Sequence, residues 1–236
     1  MEIRLTKRPK NPSIINGFPG FGMVGTIAAE FLVQHLKTEQ IGKVILEEMP
    51  ALIAIHEGRI IEPLSIYYNK EFNLVIVHSI SGIAGSEWKM SDVIIQLTKE
   101  LEAKEIISLE GVGSDIETTE PRAFYFTNTE SKNRDFQNLK LDQLKEGIIM
   151  GVTSALLLKT ENMPISCILA ETHSNLPDSK AAAKIIEVLD GYLGLKVDYK
   201  PLLETAKKFE EKIKKVMQQS RIAETERDKK ALSYVG

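Results

Sequence analysis

The residues with the clearest chemical potential near the start of the chain are Gly20-Phe21-Gly22-Met23-Val24-Gly25, which spell G-x-G-x-x-G. In a dinucleotide site such glycines let the backbone approach a pyrophosphate at a helix N-terminus, and an acid about twenty residues on holds the ribose hydroxyls. Glu47 follows Gly25 by 22 residues, so the spacing fits. Two features count against that chemistry. Phe18, Pro19, Phe21 and Met23 are interleaved with the glycines and would crowd a charged ligand, and the chain after Glu47 reads as hairpins where a second helical crossover is required. Gly17, Gly20, Gly22 and Gly25 are therefore expected to form a structural loop, a tight strand-to-helix turn with close backbone approach.

A second set of groups falls where open α/β sheets place ligands, at the C-terminal ends of the strands. Gly20, Gly22, Ser86, Glu110, Ser114, Glu171, Thr172 and His173 are the candidates, and the glycines of "SGIAGSEW" (81–88) could hold a phosphate before a helix. They define the alternative reading, a nucleoside- or phosphate-utilising enzyme. The bland readings are strong: glycines punctuate turns, Ser86 suffices as an N-cap, and His78 reads as a core or rim histidine. His173 beside Glu171 is the best acid/base pair on offer. There is no G-x-S-x-G elbow and no G-x-x-x-x-G-K-[ST] phosphate loop. His35, His56, His78 and His173 are scattered and Cys167 is alone in an apolar run, so neither a metal nor another cofactor is expected, and no catalytic residue is assigned.

The elements that must position these groups follow from periodicity. "PSIING" (12–17), "NLVIVHS" (73–79), "EIISLEGV" (105–112) and "PISCILAE" (164–171) are short apolar runs typical of buried parallel strands. Val93, Ile94, Leu97 and Leu101 mark a helix between the second and third, which makes a crossover unit. Val24, Ile27, Ala28, Phe31, Leu32 and Leu36 mark another helix leading to a strand at 43–48, a second such unit. From 50 to 80, "HEGR" and "YNKEFN" read as hairpin turns, with Tyr67 and Tyr68 exposed and suited to a subunit interface. Residues 114–146 read as a polar excursion with a short strand and helix, "EGIIMGVTSALLLKTEN" as a buried helix, and "SKAAAKIIEVLDGYLG" as another. From Pro201 one long helix carries an apolar stripe of Leu203, Ala206, Phe209, Ile213, Val216 and Met217. The expected fold is a three-layer α/β/α sandwich with a mostly parallel sheet over 1–198, inserted hairpins at about 50–80, and a C-terminal helical tail over 199–236.

Composition narrows the partners. Thirty basic against 33 acidic residues, spread along the chain, leave no basic footprint for nucleic acid or an anionic membrane. No apolar run reaches the length of a membrane span, the N-terminus lacks a signal-peptide core, and a single cysteine suits a reducing compartment, so the expected location is the cytoplasm.

"GFPGFGMVG", "LEGVGSD", "GIIMGVTSALLL", "ILAETHSNLPDSKAAAKIIEVL" and "LKVDYKPLLETA" occur in an order and spacing that resembles the archaeal proteasome assembly chaperone family over most of residues 12–210. The resemblance implies an α/β/α sandwich similar to purine nucleoside phosphorylases, no established catalytic activity, homo-oligomers or hetero-oligomers with a paralogue, and binding to the α-ring of the proteasome core particle. Many members end in a hydrophobic residue, a tyrosine and any residue, which insert between α-ring subunits. Here the end is Leu232-Ser233-Tyr234-Val235-Gly236, with tyrosine third from last rather than second. The resemblance makes Leu232, Tyr234, Val235 and Gly236 the partner-binding residues of an assembly chaperone or ATP-independent activator, with several tails on one oligomer adding avidity.

Overall fold

A computed structural model describes residues 1–49, 51–56, 58–114, 120–173 and 176–204, together with 208, 213, 215, 216 and 218. Its centre is formed by the four apolar runs: β2 (Ser13–Gly17), β7 (Leu74–Ser79), β8 (Glu105–Gly113) and β11 (Ile165–Thr172). β2 pairs in parallel with β7 on one side and β8 on the other, and β8 pairs in parallel with β11. These strands are near-continuously apolar because both faces are covered. Successive residues of β2 show it: Ile14 joins the core beneath α2 (Glu87–Leu101) and α4 (Val152–Lys159), and Ile15 joins the core beneath α1 (Val24–His35) and α5 (Ser179–Leu193). Two helical layers therefore enclose one sheet, with β7, α2 and β8 forming the expected crossover around β2.

The nine-stranded sheet has the order β1-β3-β6-β7-β2-β8-β11-β9-β10. β3 (Glu39–Ile45) is antiparallel to β6 (Leu64–Asn69), which is antiparallel to β7. So β3 runs in the direction of β2, but the hairpin strands β6 and β7 stand between them. The helical crossover read from the glycine loop to this strand exists, although it does not join sheet neighbours. β1 (Glu2–Leu5) pairs antiparallel with β3 and was not anticipated, despite the period-2 alternation of its burial. "HEGR" closes a separate two-stranded hairpin of β4 (Ala54–His56) and β5 (Arg59–Ile61).

The excursion after β8 contains β9 (Ala123–Thr127), antiparallel to β11, then α3 (Glu130–Asn138) and β10 (Asp142–Gln143). Phe136 is the buried residue of α3, stacked between Tyr125 and Tyr192 at centroid distances of 4.8 and 4.7 Å.

Three sequence expectations need correction. The helix expected over "EGIIMGVTSALLL" begins only at Val152, after Gly151 at φ 83, and leaves Ile148 and Met150 85% and 76% exposed. Tyr67 and Tyr68 are half-buried rather than exposed: Tyr67 packs on the α1 side, where burial pushes its hydroxyl pKa up, and Tyr68 packs on the α2 side and donates to Asn73 Oδ1. At the C-terminal helix it is Leu202, not Leu203, that is buried, along with Ile213 and Val216. Leu202 and Ile213 belong to the same core as α1 and α5. Ala206, Phe209 and Met217 lie outside the described residues.

Candidate functional site

The glycine loop follows β2 as a short 3-10 turn (Phe21–Met23) that runs into α1. Gly22 and Met23 both adopt left-handed φ, 63° and 54°, and Met23 N–H returns a hydrogen bond to the Gly20 carbonyl at 3.0 Å. A Cβ on Gly25 would overlap the Leu109 carbonyl of β8, one on Gly17 would overlap the Gly25 carbonyl, and one on Gly22 would lie 2.7 Å from Thr172 Oγ1. The interlock is reciprocal, because a Cβ on Gly111 of β8 would overlap the Phe21 carbonyl. The glycines thus let a helix start in contact with two strands. The first turns of α1 are buried from Val24 through Leu32, so their N–H groups face protein rather than a ligand.

The rest of a dinucleotide site is absent from its required place. Glu47 is exposed just beyond β3, and β3 is three strand positions from β2, about 14 Å at ordinary strand spacing. No ribose held against the α1 N-terminus would meet it.

The strand-end groups of the alternative reading do converge beside this loop, and most are engaged there. Thr172 donates to Asp178 Oδ2 at 2.8 Å, Asp178 caps α5 through Ala181 N–H at 3.0 Å, and its own N–H donates to the Gly22 carbonyl at 2.8 Å. Glu171 is 4% exposed and holds Arg122 through both oxygens, at 2.6 and 3.0 Å. The Arg122 hydrogen bonds keep its carboxyl below the usual range. His173 does not pair with it: His173 Nδ1 lies 3.0 Å from the Ser114 carbonyl oxygen. The acid/base pair read from "AETHS" is therefore replaced by an ion pair and a backbone contact.

Ser86 is buried and its carbonyl accepts from Met90 N–H at 2.8 Å, but its hydroxyl caps no backbone amide, which departs from the expected side-chain cap. Cys167 is fully buried, and burial pushes its thiol well up, which disfavours the thiolate a nucleophile needs. His78 is 3% exposed and its Nε2 lies 3.5 Å from Glu30 Oε2 of α1, a buried pairing that sequence spacing did not announce. Among the described residues no group of three or more His, Cys, Asp or Glu could hold a metal ion, and no helix is long and apolar enough to cross a membrane.

Glu110 is the exception at this rim. Thr153 Oγ1 donates to its Oε1 at 2.7 Å, and burial pushes its pKa up to about 7. Its Oε2 faces the open side of Gly20, where a Cβ would lie 3.3 Å away. Sequence reading placed Glu110 here but could not show how little compensates its charge. Leu232, Tyr234, Val235 and Gly236 lie outside the described residues.

The fold and the rim define an α/β/α scaffold whose conspicuous glycines and most of whose strand-end polar groups serve packing and capping. The chain belongs to the PAC2 family, whose pattern matches residues 14–217. It is similar to Pyrococcus furiosus PbaA, described as an archaeal homolog of proteasome-assembly chaperone, with 31% identity, a TM-score of 0.84, and coverage of 94% of this chain and 100% of that one. Similarity extends to Pyrococcus furiosus PbaB, described as an archaeal proteasome activator, at 25% identity and a TM-score of 0.76, covering 91% and 98% of the two chains. An uncharacterized Methanocaldococcus jannaschii protein is 27% identical over 215 residues, 89% of this chain and 87% of that protein.

Proposed function

We propose that this protein is a non-catalytic, oligomeric partner of the archaeal proteasome core particle, acting in the cytoplasm as an assembly chaperone or ATP-independent activator. The observation that carries the reading is the full-length likeness to PbaA, supported by the likeness to PbaB. The engaged state of the strand-end groups points the same way, since Glu171, Thr172 and Asp178 have structural partners where an enzyme would need them available.

In the proposed mechanism the α/β/α body is a rigid holder and the C-terminal helix directs the segment ending in Leu232, Tyr234, Val235 and Gly236 toward pockets of the α-ring. One such tail offers little contact area. Several tails on one oligomer bind with an effective concentration set by their spacing, so weak contacts sum to useful affinity without ATP.

The test is binding to an archaeal core particle by sedimentation or surface plasmon resonance, comparing the full chain with one ending at Ser233. Loss of at least tenfold in affinity on truncation, with unchanged subunit assembly, is the expected result. Undiminished binding by the truncated chain refutes the tail mechanism. Thermal-shift screening with nucleosides and phosphate addresses the enzyme reading, because a ligand specific for the native state must raise the melting temperature.

A further inference from the structure

The large exposed apolar side chains gather at one end of the sheet, and that end has no covering element. β3 runs in the direction of the parallel strands, and the β4–β5 hairpin follows its C-terminal end. Ile55 and Ile60 are cross-strand partners in that hairpin, and Ile53 stands two residues before Ile55 on the same face. They are 73%, 64% and 55% exposed. Trp88, 55% exposed, is in the first turn of α2, which starts after the C-terminal end of β7. Ile148 and Met150 precede α4, whose Thr153 meets Glu110 near the C-terminal end of β8.

We infer that this apolar rim, built from the β4–β5 hairpin, Trp88 and the 148–150 segment, is the surface on which a second copy of the chain docks. Area favours it: six side chains of this size, each more than half open, present on the order of 800 Å², which is what one partner contributes to a standard interface. Monomers leave open patches of only about 300–600 Å². Charge favours a like partner as well. The ionic groups bordering the rim are already paired within the chain, Glu48 with Lys89, Asp92 with Lys159 and Glu62 with Lys43. Two copies can therefore meet without like-charge repulsion, whereas a strongly charged partner would find no unpaired complement among these groups. An isolated two-stranded hairpin is also marginal by itself and gains from burial of its open face.

The inference deepens the proposed function, since multivalent tails need an assembled particle, and it moves the subunit contact away from Tyr67 and Tyr68. Its test is the mass of the full chain from sedimentation equilibrium, for wild type and for the doubly substituted Ile55→Glu, Ile60→Lys, whose opposite charges remain cross-strand partners. Trp88→Lys, on a different element, is the second variant, and far-UV circular dichroism checks the fold of each. Wild type is expected to be oligomeric at 10 µM. Both variants are expected to lose at least tenfold in association constant while keeping the wild-type spectrum. A monomeric wild type, or well-folded variants of unchanged mass, overturns the inference. The Ser233 truncation reads the tail mechanism separately: an oligomer that resists the rim variants yet loses core-particle binding on truncation sinks this inference and leaves the proposed function standing.

Discussion

At the start of β8 the Glu105 carboxylate accepts hydrogen bonds from Ser13 Oγ at 2.6 Å and Tyr192 OH at 2.8 Å, and it pairs with Lys132 Nζ at 2.6 Å. Five residues further along the same strand, the Glu110 carboxyl accepts from Thr153 alone among the described residues. Burial raises both, but at Glu105 the bonds from Lys132, Ser13 and Tyr192 outweigh it and its pKa falls below the ordinary value, while Glu110 is left at about 7. The contrast separates two ways of finishing a sheet. The N-terminal edge is locked by charge and hydrogen bonds, which tie α3 and α5 to β2 and β8. The C-terminal edge is closed by backbone contact at Gly17, Gly25 and Gly111, and a carboxyl beside that joint is left poorly compensated.

The largest effect is expected where the C-terminal edge is interlocked. Gly25→Ala forces a methyl into the Leu109 carbonyl, and because both partners are backbone neither can rotate away. Loss of more than about 4 kcal/mol, or failure to fold, is expected by urea unfolding. Gly82→Ala supplies the control, since a Cβ there meets nothing within 4 Å, and a change within about 0.5 kcal/mol is expected. Comparable losses from both substitutions would show that helix propensity and backbone entropy, rather than the joint, set the cost.

Glu105→Ala breaks the other edge. It strands the Lys132 ammonium, 20% exposed, and leaves Ser13 and the Tyr192 hydroxyl without their acceptor. Removal of one member of a buried pair costs about 3–5 kcal/mol, so a loss in that range is expected. Glu105→Ala combined with Lys132→Met should recover part of it, because the uncompensated charge is gone. A double variant no better than the single one would place the cost in packing around Phe136 instead.

The two edges also differ in how far sequence revealed them. The glycine joint was legible because φ > 0 and close approach select one residue type, so Gly20, Gly22 and Gly25 stand out against bulky neighbours. The four central strands were legible from continuous apolar runs, and the hairpins from "HEGR" and "YNKEFN". Strand order was not, because β6 enters the sheet between β3 and β7 through pairings that no local pattern encodes. The Glu105 network was hidden for a similar reason: Ser13, Lys132 and Tyr192 are spread over 180 positions and polar in isolation. Ile148 and Met150 misled, since an apolar segment beside a helix reads as core until Gly151 is seen to break it.

The smallest effect, and the one that tests the contrast most directly, is the pH dependence of Glu110. Its folded pKa of about 7 exceeds the unfolded value near 4.5, so between those values the folded chain holds a proton that the unfolded chain has released. Stability from this group is complete below pH 4.5 and falls as pH rises through 7; a shift of that size corresponds to about 1–3 kcal/mol. Glu110→Gln keeps the acceptor for Thr153 and stays neutral. It is expected to match wild type in urea unfolding at pH 5 and to exceed it by that amount at pH 8. Glu105 acts with opposite sign: its depressed pKa contributes stability above 4.5 that is lost as pH falls through the folded value. An identical difference between Glu110→Gln and wild type at pH 5 and pH 8 would mean that the Glu110 carboxyl is ionised in the folded chain at both, and that the C-terminal edge solvates it as well as the N-terminal edge solvates Glu105.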